Sequence, residues 1–263
     1  MTHPLRILAG SAALAVAFWC LTPAPAPAAN DVPDLPAGSV KKAADADLKF
    51  LQTRVADLAK KQAAGAKVLD GYIKPATGVS LLLAAYADIL GDAALKADVI
   101  KVAEALDKKD FAAADGLAKK LAIKPGTGKP GALPTPFKGD KMLEYVMQPF
   151  RPAASGGANI DKDIKEWGKA GAMGKLDLAA VEVLAIRTAV INAYGLQHPN
   201  GTATVNAGNK KLWDKWSTEA IDQSKKIATE AAKGAKADEK SIRTMLGVLV
   251  RSCNDCHEKF RDN

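Results

Sequence analysis

Residues 238–261 read DEKSIRTMLGVLVRSCNDCHEKFR. Ile242, Met245, Leu246, Leu249, Cys253, Cys256, His257 and Phe260 recur at intervals of three and four, the period of one helical face. Asp238 stands where an N-cap is expected, so the spacing predicts a helix beginning after Ala237-Asp238 and running past His257. On such a helix Cys253, Cys256 and His257 occupy positions i, i+3 and i+4 and point into the same space.

Two thiols three apart, with His immediately after the second, form the attachment pattern for a c-type haem. Both thiols can reach porphyrin vinyl groups as thioethers while the imidazole approaches the iron from one side. Three other chemistries use similar residues. A thioredoxin-like pair sits at the start of a helix that follows a strand, a context absent here. A zinc site needs a fourth ligand, and after the leader discussed below only His198 and His257 remain, with no further Cys. A disulfide at this spacing on a helix is strained. One covalent haem c, with His257 as proximal iron ligand, is the expectation.

Outward from this stretch the chain reads as all-α. Ala and Lys abound, aromatic residues are scarce at 5%, and Gly and Pro gather between segments. Leu48, Leu51, Val55 and Leu58 mark one long helix from Ser39 to about Ala64. Val79, Leu82, Leu83, Tyr86 and Leu90 mark a second, Val99, Ala103 and Leu106 a third, and Phe111, Ala114, Leu117 and Leu121 a fourth. These four predict a haem-free helical domain over 30–123, self-contained and, through 139, lacking both His and Cys. Pro125, Gly126, Gly128, Pro130, Gly131, Pro134 and Pro136 break the backbone and predict a linker at 124–139.

Beyond the linker Leu143, Val146, Met147 and Phe150 form a short stripe ending at Pro152. Ile160, Ile164 and Trp167 mark a connecting helix, and Lys175 to Tyr194 is nearly all apolar. Trp213, Trp216, Ala220, Ile227 and Ala231 mark a long charged helix that stops near Gly234.

The run Ser252-Cys-Asn-Asp-Cys-His-Glu-Lys-Phe-Arg261, on the last helix of such a set, resembles the cytochrome c prime family, the class II c-type cytochromes. Phe260 and Arg261 stand three and four residues after His257 as in that family, and Leu212-Trp213 lies at a similar offset in the preceding helix. The resemblance covers about 140–263. It implies a four-helix-bundle haem domain there, with Arg261 and Trp213 near the haem. It also implies a distal residue from the opening helix, although the stretch Lys141 to Phe150 is shorter than that family's first helix. Met147 is the candidate distal ligand; Met142, His198 or an open iron face are the alternatives, and Met173 and Met245 read as loop or core.

Residues 1–29 read as a secretory signal: Arg6, the apolar run Ile7 to Leu21, then small residues to Ala29. The run is about 15 residues against the ~20 that span a membrane, so no stable membrane anchor is expected. Cys20 follows bulky Phe18 and Trp19, unlike a lipoprotein site, and leaves with the leader. Without Arg6 the net charge is about +7, from 36 basic and 29 acidic residues. These are mostly Lys scattered among Asp and Glu, which suits a solvated surface and predicts no nucleic-acid partner. Together these features predict a periplasmic electron carrier with a protein redox partner. Its alternative is a five-coordinate module for nitric oxide or carbon monoxide. Peroxidase chemistry is not expected, because no distal His or Arg-His pair is evident. A homodimer, frequent in the resembling family, is compatible with the sequence.

Overall fold

The computed structural model describes residues 31–68, 70–124, 126–169 and 174–261. The leader 1–29, with Cys20, and Met173 lie outside the described residues. Within them the protein is all-helical: α1 (Ala37–Ala63), α2 (Asp70–Leu90), α3 (Ala93–Asp107), α4 (Phe111–Ala118), α5 (Lys141–Met147), α6 (Ile160–Trp167), α7 (Leu178–Gln197), α8 (Gly201–Thr204), α9 (Ala207–Ala231) and α10 (Glu239–Phe260). A single β-bridge joins Asp31 and Ala132.

Local chemistry sets most of the boundaries. Asp92, Asp110, Asp177, Asn200, Asn206 and Asp238 each accept a backbone N–H three residues on, closing the first turns of α3, α4, α7, α8, α9 and α10. Each such cap is worth about 1 kcal/mol. The second helix begins well before the stripe that announced it, at Asp70, and contains Pro75. Proline at its sixth position forgoes one helical hydrogen bond, and burial of the rest of α2 outweighs that loss.

The packing crosses the expected boundary at 124–139. α1 lies on α2, α4 and α7, and α5 with the 3-10 turn Gln148–Phe150 lies on α2. Buried residues from both sides of the linker form one continuous core, so the first four helices are not closed on themselves. At Gly78 on α2 an added Cβ would collide with the Tyr145 carbonyl and the Pro149 ring, which is why α5 can approach so closely. The linker itself runs along α2, where Gly128 N–H donates to the Ile89 carbonyl at 2.8 Å.

α7 is the central element, packed on α9 and also touching α1, α2, α5 and α6. Its Arg187 donates from Nε (2.8 Å) and Nη2 (2.6 Å) to Oδ1 of Asp47 on α1, a residue with no exposed surface. Burial pushes the Asp47 carboxyl above its usual range, and the guanidinium opposes that shift. Lys42 reaches Glu182 at 2.8 Å, and Tyr194 Oη donates to the Leu81 carbonyl at 3.2 Å. α2 and α7 are long and apolar enough to cross a membrane, but 89% and 67% of their apolar windows are buried inside the protein. That burial makes them core helices of the fold.

Removing one partner of a buried ion pair leaves the other charge uncompensated, at about 3–5 kcal/mol. Arg187→Met is expected to lower the unfolding free energy by that amount in urea titrations. Lys41→Met, which breaks only the exposed pair with Asp45, is expected to change it by less than about 0.5 kcal/mol.

Candidate haem-attachment site

Asp238 starts α10 by accepting the Ser241 N–H at 3.1 Å, and the helix continues unbroken to Phe260. Ile242, Leu246 and Leu249 bury the stripe in the main core. One turn further Cys253 packs half-buried against the same core, and both thiols are free. Cys256 belongs to a second, smaller cluster with Ala203, Leu212, Trp213, Trp216, Phe260 and Leu143. His257 is exposed at the residue level, and Arg261 just beyond it is exposed as well.

The aromatic residues fix how α9 meets α10. Trp213 and Trp216 lie edge-on to Phe260, with ring centroids 5.4 and 5.8 Å apart. Trp213 Nε1 donates to the Gly195 carbonyl of α7 at 2.8 Å, so its ring cannot turn away. Ser252 donates to Glu219 on α9 at 2.6 Å, and Asn200 donates to the Phe260 carbonyl at 2.6 Å, holding the last turn of α10. Trp213 therefore belongs to the small apolar cluster against which Cys256 packs.

On the other flank α6 meets α10. An added Cβ on Gly168, at the end of α6, would lie 3.0 Å from the Leu246 carbonyl carbon, and Arg243 Nη1 donates to the Trp167 carbonyl at 3.1 Å. This brings Asp161 and Lys165 of α6 toward the motif, where both act electrostatically on Cys253 and His257.

Burial dominates the titration of all three side chains. It pushes the Cys253 thiol up to about 12 and the Cys256 thiol up to about 11, with the neighbouring Cys256 adding to the effect on Cys253. It holds the His257 imidazole below its usual value, and Arg261 lowers it further. A neutral imidazole is the form that can ligate a metal.

The expected distal residues separate clearly. Met142 is fully buried, and Met245 is half-buried against the core. Met147 is half-buried on α5 with its Cε methyl against Gly195, where an added Cβ would come within 3.3 Å. Leu143, one turn earlier on the same face of α5, is the residue that shares a cluster with Cys256. His198 ends α7; its Nε2 is buried without a hydrogen-bond partner, and burial lowers its pKa. The sequence pattern placed Leu143 on the same stripe as Met147 but gave no sign that it, and not Met147, packs against the small cluster that Cys256 also borders. Asp161 and Lys165 carried no signal at all, since only the crossing of α6 and α10 brings them near.

Among the described residues no three His, Cys, Asp or Glu side chains converge to hold a bare metal ion. No family model, curated protein or solved structure matches this chain. The donor set itself fits a haem: two free thiols and an imidazole at i, i+3 and i+4 on one helix, beside apolar and aromatic side chains that suit a flat apolar ring.

In haem-free protein the raised thiol values slow alkylation, because the thiolate is the nucleophile. Iodoacetamide at pH 8 is expected to label Cys256 more slowly than a free thiol, and Cys253 more slowly still, as read by peptide mass spectrometry. The fold favours the neutral thiols, so their contribution to stability is present below the ordinary value of 9.0 and is lost as pH rises through about 11 and about 12.

Proposed function

We propose that this chain is an exported, mono-haem c-type cytochrome that transfers electrons, similar over residues 140–263 to the cytochrome c prime family. The observation that carries the reading is the placement of Cys253, Cys256 and His257 on one unbroken helix, thiols turned inward and imidazole at the edge. Cys253 and Cys256 form the thioethers and His257 is the proximal ligand. Trp213 and Arg261 are the further residues that would lie against a bound haem. A bound haem supplies a one-electron ferric/ferrous couple. The chain's own residues would hold it: Cys253 is packed on the core, and burial together with Arg261 favours the neutral imidazole of His257.

The leader-like residues 1–29 support a periplasmic location, where the partner is another redox protein. No catalytic residue, nucleic acid or membrane anchor enters this reading.

Two distal arrangements are on offer. Ligation by the Met147 thioether would close the iron, stabilise the ferrous state and suit electron transfer. A five-coordinate iron that would bind nitric oxide or carbon monoxide is favoured by one observation, that apolar Leu143, and not Met147, borders the small cluster that Cys256 also borders.

The test is expression with a haem-attachment system, followed by mass and visible spectra. A covalent gain of one haem that is lost in Cys253→Ala/Cys256→Ala is expected; its absence overturns the cytochrome reading. A low-spin reduced spectrum indifferent to carbon monoxide supports the carrier, and Met147→Ala then converts it to high spin. A high-spin spectrum that shifts promptly with carbon monoxide sinks the closed form and selects the gas-binding one.

A further inference from the structure

We propose that the cleft where α1, α6 and α7 meet binds a small organic anion, a carboxylate carrying an apolar body, with Arg187 at the point where head and body join.

Two hollows adjoin there. One, of about 350 Å³, is walled by Ile160 and Trp167 of α6 and by Val183 and Leu184 of α7. The other, of about 560 Å³, is lined by Lys49, Phe50, Arg54 and Asp57, which recur at three- and four-residue intervals and so share one face of α1. Ala46 and Arg187 border both hollows, which makes them two parts of one cleft. Volumes of this order are those of small-molecule sites, about 300–1,000 Å³. The α6 part stays open because Ala46, Ala179 and Ala180 reach into it with a single methyl each.

The two parts differ in charge. Asp57 in the α1 part is bridged to Lys61 at 3.0 Å, whereas Lys49 and Arg54 form no ion pair among the described residues. The Arg54 guanidinium is held over the Phe50 ring, 5.4 Å from its centroid. Arg187 is only 14% exposed and directs Nε and Nη2 at one oxygen of Asp47, which leaves Nη1 without an acceptor among the described residues. A guanidinium largely removed from water, with a donor to spare, suits a carboxylate oxygen.

Asp47 offsets the charge of Arg187, so Lys49 and Arg54 give the α1 part its net positive charge. In the α6 part the charged residue beside Arg187 is Asp163, which has no ion-pair partner and repels an anion. The head therefore belongs over α1 and the apolar body between Trp167 and Leu184. None of Cys253, Cys256 and His257 lines the cleft, so the inference stands apart from the haem reading.

Titration of the full chain with octanoate, followed by calorimetry and by the side-chain N–H resonances of Arg187, tests this. Saturable binding that moves those resonances is expected. Lys49→Gln should weaken it about fivefold, the worth of one exposed charge pair. Ala179→Leu, which extends an exposed side chain into the apolar part, should weaken it about tenfold. Lys60→Gln, exposed on α1 and outside the cleft, is the control for a general loss of positive charge and should bind as the parent does. All three variants leave the Asp47–Arg187 pair intact, so the fold is kept. The uncharged 1-octanol tests the head, and octylamine tests whether Asp163 selects a cation instead. No saturable octanoate binding, unmoved Arg187 resonances, 1-octanol or octylamine binding as tightly as octanoate, or Lys60→Gln losing as much as Lys49→Gln each overturns the proposal.

Discussion

A guanidinium taken out of water must have a carboxylate beside it, and the position of Asp47 against Arg187 follows from that requirement. The pair sits between the first and seventh helices, which are far apart in sequence, and it fixes where one lies along the other. Once α7 is held there, its remaining faces are committed. Glu182 meets Lys42, Tyr194 meets the Leu81 carbonyl, and Gly195 offers its own carbonyl to Trp213. The chain of contacts from Arg187 through Gly195 and Trp213 to Phe260 connects the middle of the core to the turn that carries His257.

The motif gains its geometry from helix regularity and its surroundings from two neighbours of different character. α9 brings rings to Cys256, whereas α6 brings charge to His257. A flat macrocycle attached at the two thiols would have an aromatic edge on one flank and a polar edge on the other. Such asymmetry suits a group that must be shielded from water yet remain within reach of a partner.

Much of this was legible in the chain itself. The three- and four-residue spacing of Leu48 to Leu58, or of Ile242 to Phe260, reports the buried face because a helix repeats every 3.6 residues. Asp238 announced a helix start because a short carboxylate can close a first turn. The spacing of Cys253, Cys256 and His257 is local too, so any helix there places them together. What stayed hidden depends on contacts between distant segments. Asp47 reads as one more surface charge on a Lys-rich helix until α7 is seen above it. The self-contained first bundle failed for the same reason: stripe patterns say which face is buried, never against what. Met147 and Leu143 share a stripe, and only the packing of α5 distinguishes them. The start of α2 escaped notice because Gly71, Pro75 and Gly78 weaken the helical pattern in a segment that tertiary burial keeps helical.

The half-buried state of Cys253 bears on the order in which the molecule is made. A thiol seated on the core is poorly placed to meet an attachment enzyme, and Asn200 and Trp213 hold the adjoining turn shut. If haem is joined at this residue, joining must come before α10 docks. The helix that carries the cofactor is then the last to settle, and the prosthetic group itself becomes part of the surface on which it settles. Maturation and folding would be one process in this chain, with the haem acting as a template for the final helix.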